Sequence, residues 1–348
     1  MKAWVLHDVN DIRFEEVNEP QPKADEVIVS VKAAGICGSD IPRIYKTGAH
    51  VHPLIPGHEF SGQVVKTGDN VDSAWIGKRV GIFPLIPCGR CAACRKQQYE
   101  MCREYSYLGS RRDGGFAEYA AAPEWNLIEL PENVSYEEAA MLEPMAVAVH
   151  AMRRVNPNPK DTAVICGLGT IGMFLLMFLL DAGIENIFVV GNKEFQRNIV
   201  LKMGLDVNNY CDSKTQSVSE WLLERTQGLG ADVFFECVGK NETVSQAVDF
   251  TAPGGRICLV GNPYSDMLLE KSVYWKILRN QLIITGTWNS SFTHEKDDDW
   301  HYVLGRLEQK RISPKELISH ELNLDDAEKG FLTMLEKRED YIKIMIEP

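Results

Sequence analysis

Hydrophobic and polar positions follow two kinds of pattern along the chain. Up to about residue 150, short runs such as EVIVSVKAAG and SGQVVKTG are punctuated by Gly and Pro, as strands of an irregular β-rich domain are. From about Asp161 to Gly286 the period itself alternates. TAVIC, NIFVV, ADVFFEC, RICLV and LIITG are predicted strands, and KEFQRNIVLKMG and TVSQAVDFTA between them carry helical spacing. Strands separated by helices predict a doubly wound parallel sheet covered on both faces. Further on, DDAEKGFLTMLEKRED predicts a helix and YIKIMIEP a closing strand, a tail expected to return to the first domain. The pattern predicts an α/β protein in three segments: residues 1–150, 151–286 and 287–348.

The uncharged stretch 162–180 matches a membrane span in length. Gly167, Gly169 and Gly172 divide it into a strand and a following helix, so burial on a sheet is the expectation and no membrane partner is foreseen. The opening MKAWVLHDVN lacks the apolar core of a secretory signal. A chain of 348 residues with net charge -12 offers no basic field for nucleic acid, and its nine cysteines cluster as metal ligands do. A reducing compartment, the cytoplasm, is expected.

Cys88, Cys91, Cys94 and Cys102 stand within one short loop, the spacing that presents four thiolates to a tetrahedral zinc. A second possible set is Cys37 with His58 and Glu59, mixed ligands of the kind that leave a zinc open to substrate. Cys166, Cys211, Cys237 and Cys258 fall in or beside predicted strands and read as packing residues.

GLGTIG, residues Gly167, Leu168, Gly169, Thr170, Ile171 and Gly172, follows a predicted strand and opens a helix, the context of a dinucleotide phosphate loop. The second strand ends in Gly191, Asn192 and Lys193, with Arg197 one turn on, where an NAD site carries an acid. Without that acid, and with two cations near, NADP(H) is the expected cofactor. NAD(H) remains open if Glu194 supplies the acid and Lys193 and Arg197 are a solvated helix face.

GICGSD at 35–40, GHEFSG at 57–62, the four-cysteine loop, GGFAEY at 114–119, EP at 143–144 and GLGTIG together resemble the zinc-dependent medium-chain dehydrogenases along the whole length. CGSDIPRIYKTGAH, GSRRDGGFAEY and GTWNSS resemble the polyol branch. The resemblance implies a GroES-like catalytic domain and a Rossmann cofactor domain with the active site between them, and commonly a dimer or tetramer. It carries the catalytic zinc onto Cys37, His58 and Glu143, with Glu59 an adjacent carboxylate, and both acids stand as ligands in different states. Ser39 matches the hydroxyl that begins the family's proton relay. The substrate implied is a polyol or polyol phosphate, and Arg43, Lys46, Arg111 and Arg112 are the cations placed to meet a phosphate. An unphosphorylated polyol of the sorbitol kind or a secondary alcohol is the alternative substrate. A zinc-ribbon binding module or nucleotide-sensing regulator is the alternative outside catalysis.

Overall fold

The chain divides into two units in the computed structural model, which describes residues 1–348: Met1–Glu143 joined by Ser291–Pro348, and Pro144–Ser290. The units divide after Glu143 and Ser290, where the sequence pattern predicts divisions at 150 and 286. After an antiparallel pair of strands at Lys2–Asp8 and Asp11–Glu16, the first unit holds β1 (Glu26–Ile36), β2 (Glu59–Thr67), β3 (Arg79–Ile82), β4 (Tyr119–Pro123) and β5 (Leu127–Glu129), and α1 (Leu142–Val155) carries the chain onward. There follow β6 (Thr162–Cys166), α2 (Thr170–Asp181), β7 (Asn186–Gly191), α3 (Glu194–Lys202), β8 (Tyr210–Asp212) and α4 (Val218–Arg225). Then come β9 (Ala231–Glu236), α5 (Asn241–Phe250), β10 (Thr251–Leu259), α6 (Lys271–Arg279) and β11 (Ile283–Gly286). The chain closes with α7 (Asp299–Glu308), β12 (Ile318–Asn323), α8 (Ala327–Glu336) and β13 (Lys343–Glu347).

The first unit holds a seven-stranded sheet in the order β12-β13-β1-β2-β3-β5, with β4 also paired to β1. Its core gathers Val29, Val31, Ile36, Phe60 and Phe116 with Phe331 of α8. β1 and β2 run antiparallel with Gly35 opposite Glu59, and β13 lies on the other side of β1 with Ile344 opposite Ile36. This register sets the loop that leaves β1 beside the residues that enter β2.

The second unit is a six-stranded sheet, parallel throughout, in the order β8-β7-β6-β9-β10-β11. Ala163, Val164 and Ile165 of the central strand are fully buried. The strand order reverses between β6 and β9, the place where open parallel sheets bind ligands at their carboxyl ends. α2 buries every residue from Gly172 to Leu179, which accounts for its uncharged sequence. At ~1.5 Å per residue it covers about 18 Å, well short of a bilayer core of ~30 Å. No helix is long and apolar enough to cross a membrane.

The strand-rich reading of 1–150 omits the start of α1, whose Leu142, Met145, Ala146 and Val149 are fully buried. Pro144 obscures the pattern, yet it stands in the first turn, where a helix tolerates proline.

Candidate active site

Cys37 follows β1 and His58 precedes β2, so the antiparallel register brings them together. Cys37 Sγ, a ring nitrogen of His58 and a carboxylate oxygen of Glu59 all lie within 4.8 Å of one another. Glycine at 35 is required for this: a Cβ there would stand 2.5 Å from Glu59 Oε2. The carboxylate of Glu59 is held by Lys343, whose Nζ also donates to the Ile36 carbonyl at 3.1 Å, and both side chains are 1% exposed. Ser39 Oγ donates to Cys37 Sγ at 3.4 Å.

Asp40, fully buried, accepts from the Cys37 amide at 3.0 Å and from Arg43 at 2.5 Å. Its Oδ1 is 3.4 Å from His58 Nδ1, an ion-pair contact without hydrogen-bond geometry. Burial disfavours the charged forms of both groups, but their mutual attraction prevails. His58 is held well above the ordinary imidazole range by Asp40 and Cys37, and Asp40 below the carboxylate range by His58 and Arg43. A carboxylate behind an imidazole is the arrangement that orients histidine toward a metal.

Glu143, in the first turn of α1, accepts a hydrogen bond from Tyr107 at 3.2 Å. Burial pushes its carboxyl up to about 7, with Glu59 adding to the rise and His58 opposing it. The resemblance implies Glu143 in the ligand set with Glu59 beside it. Here Glu59 shares the cluster with Cys37 and His58, and Glu143 stands against it on the hydroxyl of Tyr107. Strand register fixes Glu59, whereas Tyr107 engages Glu143. A thiolate, an imidazole and a carboxylate within 4.8 Å of one another, with Glu143 as a second buried carboxylate, are donors of the kinds that zinc takes, so the residues fit the metal.

The four-cysteine loop passes a geometric test. Its sulfurs are separated by 3.5 Å (Cys91–Cys94), 3.9 Å (Cys88–Cys94) and 3.9 Å (Cys91–Cys102), where Zn–S bonds of ~2.3 Å give tetrahedral edges of about 3.8 Å. The Cys94 amide draws the Cys91 thiol down to about 6, while burial pushes Cys94 up to about 12. All four cysteines are free of disulfides.

In the second unit each glycine of the loop has a separate reason. Gly167 has φ +100° and would drive a Cβ to 2.7 Å from Val238, and Gly172 would place one 2.0 Å from the Gly167 carbonyl. Gly169, which precedes α2, has nothing within 4 Å of its Cβ position. One tight turn, one close packing and one open approach are what a pyrophosphate cradle at a helix N-terminus needs. Thr170 and Ile171 form the first turn of α2. β7 ends at Gly191, Asn192 and Glu194 are exposed, and Lys193 and Arg197 are half-buried.

The four candidate phosphate cations separate. Arg112 is paired with Glu26 at 2.5 Å and lines a groove of ≈ 590 Å³ with Met1, Val17 and Leu54, which contains none of the candidate zinc ligands. Its charge is therefore committed to a buried carboxylate, contrary to the expectation. Arg43 is likewise committed to Asp40, which contacts His58. Arg111 lies over the Tyr105 ring at 4.5 Å with its Nε buried and unpartnered, and Lys46 is exposed. His52 accepts from the Ala49 amide at 3.2 Å and contacts the Leu6 carbonyl at 3.3 Å, a structural role.

Sequence reasoning did not single out Asp40, Tyr107 or Lys343. For Asp40 a signal existed, since it closes the motif CGSD that also supplies Cys37 and Ser39.

A β-rich unit with two zinc-type donor sets and a Rossmann unit with a phosphate turn define a metal-dependent dehydrogenase. Residues 23–132 match the alcohol dehydrogenase GroES-like domain and 170–309 the zinc-binding dehydrogenase family. The chain belongs to the zinc-dependent medium-chain alcohol and polyol dehydrogenases, and it is an enzyme. It is 32% identical over 326 residues to galactitol 1-phosphate 5-dehydrogenase of Escherichia coli (strain K12), covering 92% of each chain. A solved galactitol-1-phosphate dehydrogenase from Escherichia coli superposes with TM-score 0.93 at 30% identity over 100% of both chains. Two further solved neighbours, each with TM-score 0.91 and 27% identity over 100% of this chain and 99% of their own, carry different cofactors. A zinc-binding dehydrogenase from Sinorhizobium meliloti 1021 has NADP bound, and an alcohol dehydrogenase from E. coli CFT073 has NADH. The alternative of a zinc-ribbon module or nucleotide-sensing regulator is overturned, because dehydrogenase matches extend through both units.

Proposed function

We propose that this enzyme interconverts a phosphorylated polyol and its ketose phosphate using NADP(H), with galactitol 1-phosphate and tagatose 6-phosphate as the pair that fits best. The observation that carries the phosphate is Arg111, whose buried Nε lacks a partner and whose guanidinium is fixed over Tyr105. It shares the electrostatic surroundings of His50 with Arg43, which in turn acts on Tyr107, the partner of Glu143. Likeness to galactitol 1-phosphate 5-dehydrogenase supports the same choice.

Cys37, His58 and one of the carboxylates Glu59 and Glu143 would hold a zinc ion, which would supply Lewis acidity toward an alcohol or carbonyl oxygen, and the Gly167–Gly172 turn would hold a nicotinamide cofactor, which would supply the hydride acceptor. The chain does the rest. Ser39, beside Cys37, receives the proton that leaves the substrate hydroxyl and passes it outward. Asp40 orients the His58 ring and neutralises Arg43; Tyr107 positions Glu143, and Lys343 balances Glu59. The second set, Cys88, Cys91, Cys94 and Cys102, would hold a zinc in a structural role, since four thiolates complete a tetrahedral donor set.

The cofactor preference rests on Gly191, Asn192, Lys193 and Arg197, which bring no acid to the end of β7. An unphosphorylated polyol or secondary alcohol is the second reading, favoured by the commitment of Arg43 to Asp40 and of Arg112 to Glu26. Assembly into a dimer or tetramer fits β11, an edge strand with Ile283 59% exposed beside Trp288, also 59% exposed. Nine free cysteines suit the cytoplasm. The test is steady-state kinetics of the zinc-loaded enzyme with galactitol 1-phosphate, galactitol and sorbitol, each against NADP and NAD. At least tenfold higher kcat/KM for the phosphate ester with NADP is expected. Equal or better turnover of a free polyol overturns the phosphate assignment, and a preference for NAD overturns the cofactor assignment.

A further inference from the structure

Gly191 ends β7 where an acid would define an NAD site, and its φ lies outside the left-handed region. Its backbone would accept any side chain, so glycine is required here by space. A Cβ at 191 would stand 2.7 Å from the Tyr210 hydroxyl, 3.0 Å from Tyr210 Cε2 and 2.9 Å from Leu168 Cδ1. Leu168 can turn its methyl aside. Tyr210 has less freedom: it begins β8, pairs in register with β7 and is 6% exposed. Its hydroxyl donates to the Lys193 carbonyl at 3.2 Å, across the turn that leaves β7.

We infer that Tyr210 is a specificity-determining residue of the cofactor site: its hydroxyl occupies the space of the missing acidic side chain and ties down the turn that carries Lys193. This rests on the NADP(H) reading and deepens it. The absence of a carboxylate is then a property of a residue pair on adjacent strands. Restoring the acid at 191 alone forces the carboxylate against the ring, away from the place where it could accept from ribose hydroxyls. Two other acids are near. Asp212 pairs in register with Gly191 and accepts from the Lys214 amide at 2.9 Å within its own turn, and Glu194 is exposed at the start of α3. Neither fills the space beside Gly191.

The experiment compares equilibrium binding of NADPH and NADH, followed by nicotinamide fluorescence, in the zinc-loaded wild type and in Gly191→Asp, Tyr210→Phe, Tyr210→Val and Gly191→Asp/Tyr210→Val, with a thermal melt for each. Wild type is expected to bind NADPH at least tenfold more tightly than NADH. Gly191→Asp alone should weaken both cofactors. The double variant should recover NADH affinity at least tenfold over that single variant while NADPH stays weak. Tyr210→Phe, which keeps the ring in the sheet and removes only the hydroxyl, should lower NADPH affinity a few-fold by freeing the Lys193 turn. An NADH preference in wild type overturns the cofactor reading and this inference with it. NADPH preference in wild type, with Gly191→Asp as good an NADH binder as the double variant, overturns the role of Tyr210 alone. Should the Val variants not fold, unchanged NADPH affinity in Tyr210→Phe overturns it equally.

Discussion

Lys343 of the last strand donates to Glu59, the residue that follows His58, in a place where each side chain is 1% exposed. The contact joins positions 284 residues apart and ties the tail of the chain to the cluster of Cys37, His58 and Glu59. Removing one partner of such a pair leaves a buried charge uncompensated. Lys343→Met should destabilise the protein by about 3–5 kcal/mol. Urea unfolding of wild type and variant at one zinc concentration checks this, and an unchanged midpoint contradicts it.

Gly35→Ala adds only a methyl group, but against Glu59 Oε2 and Lys343 Cε at 2.5 and 2.6 Å. Displacing that pair should disturb the cluster beside it. Metal analysis after dialysis should find about one zinc per chain, the cysteine-loop ion alone, with activity falling in proportion.

Ser39→Ala removes the hydroxyl beside Cys37 while leaving every candidate zinc ligand in place. If Ser39 moves the proton, kcat should fall by about 100-fold with zinc content unchanged, a loss typical of general acid–base groups. Partial recovery at higher pH, where solvent base replaces the relay, separates this from a packing defect.

Arg111→Ala should raise KM for galactitol 1-phosphate at least tenfold and leave KM for galactitol unchanged. Arg112→Ala should affect neither, because its guanidinium is bound to Glu26. The two neighbouring arginines thus provide an internal control.

Glu26 is pulled below the ordinary carboxylate range: burial is the largest influence and opposes its ionisation, but the bonds from Arg112 and the Lys23 amide, with the charges of both residues, together outweigh it. The pair therefore stabilises the fold above the unfolded carboxyl value, about 4.3, and that contribution is lost as pH falls through the lower folded value. Glu26→Gln should be less stable than wild type at pH 7, with the gap narrowing as the pH is lowered below 4 in urea titrations.

The parts legible in the sequence are local. The strands TAVIC and NIFVV, the glycine turn and the four-cysteine loop each lie within a few residues, so spacing alone encodes their chemistry. Lys343 against Glu59, Tyr107 against Glu143 and Arg112 against Glu26 depend on pairings 284, 36 and 86 residues apart, which periodicity does not carry. Arginines 111 and 112 look alike in sequence, yet one stacks on Tyr105 and the other meets a buried acid. Gly191 was informative as a missing acid, but Tyr210, which makes glycine necessary, arrives from the next strand.

The zinc proposed at Cys37 and His58 is distinct from the one proposed in the cysteine loop. Anomalous diffraction at the zinc edge from crystals of the zinc-loaded protein distinguishes the two ions. Two peaks per chain are predicted, one among Cys88, Cys91, Cys94 and Cys102, the other bonded to Cys37 Sγ and His58 with Glu59 or Glu143 as the carboxylate ligand. A single peak at the cysteine loop, with Cys37 and His58 carrying none, would rule out the second zinc.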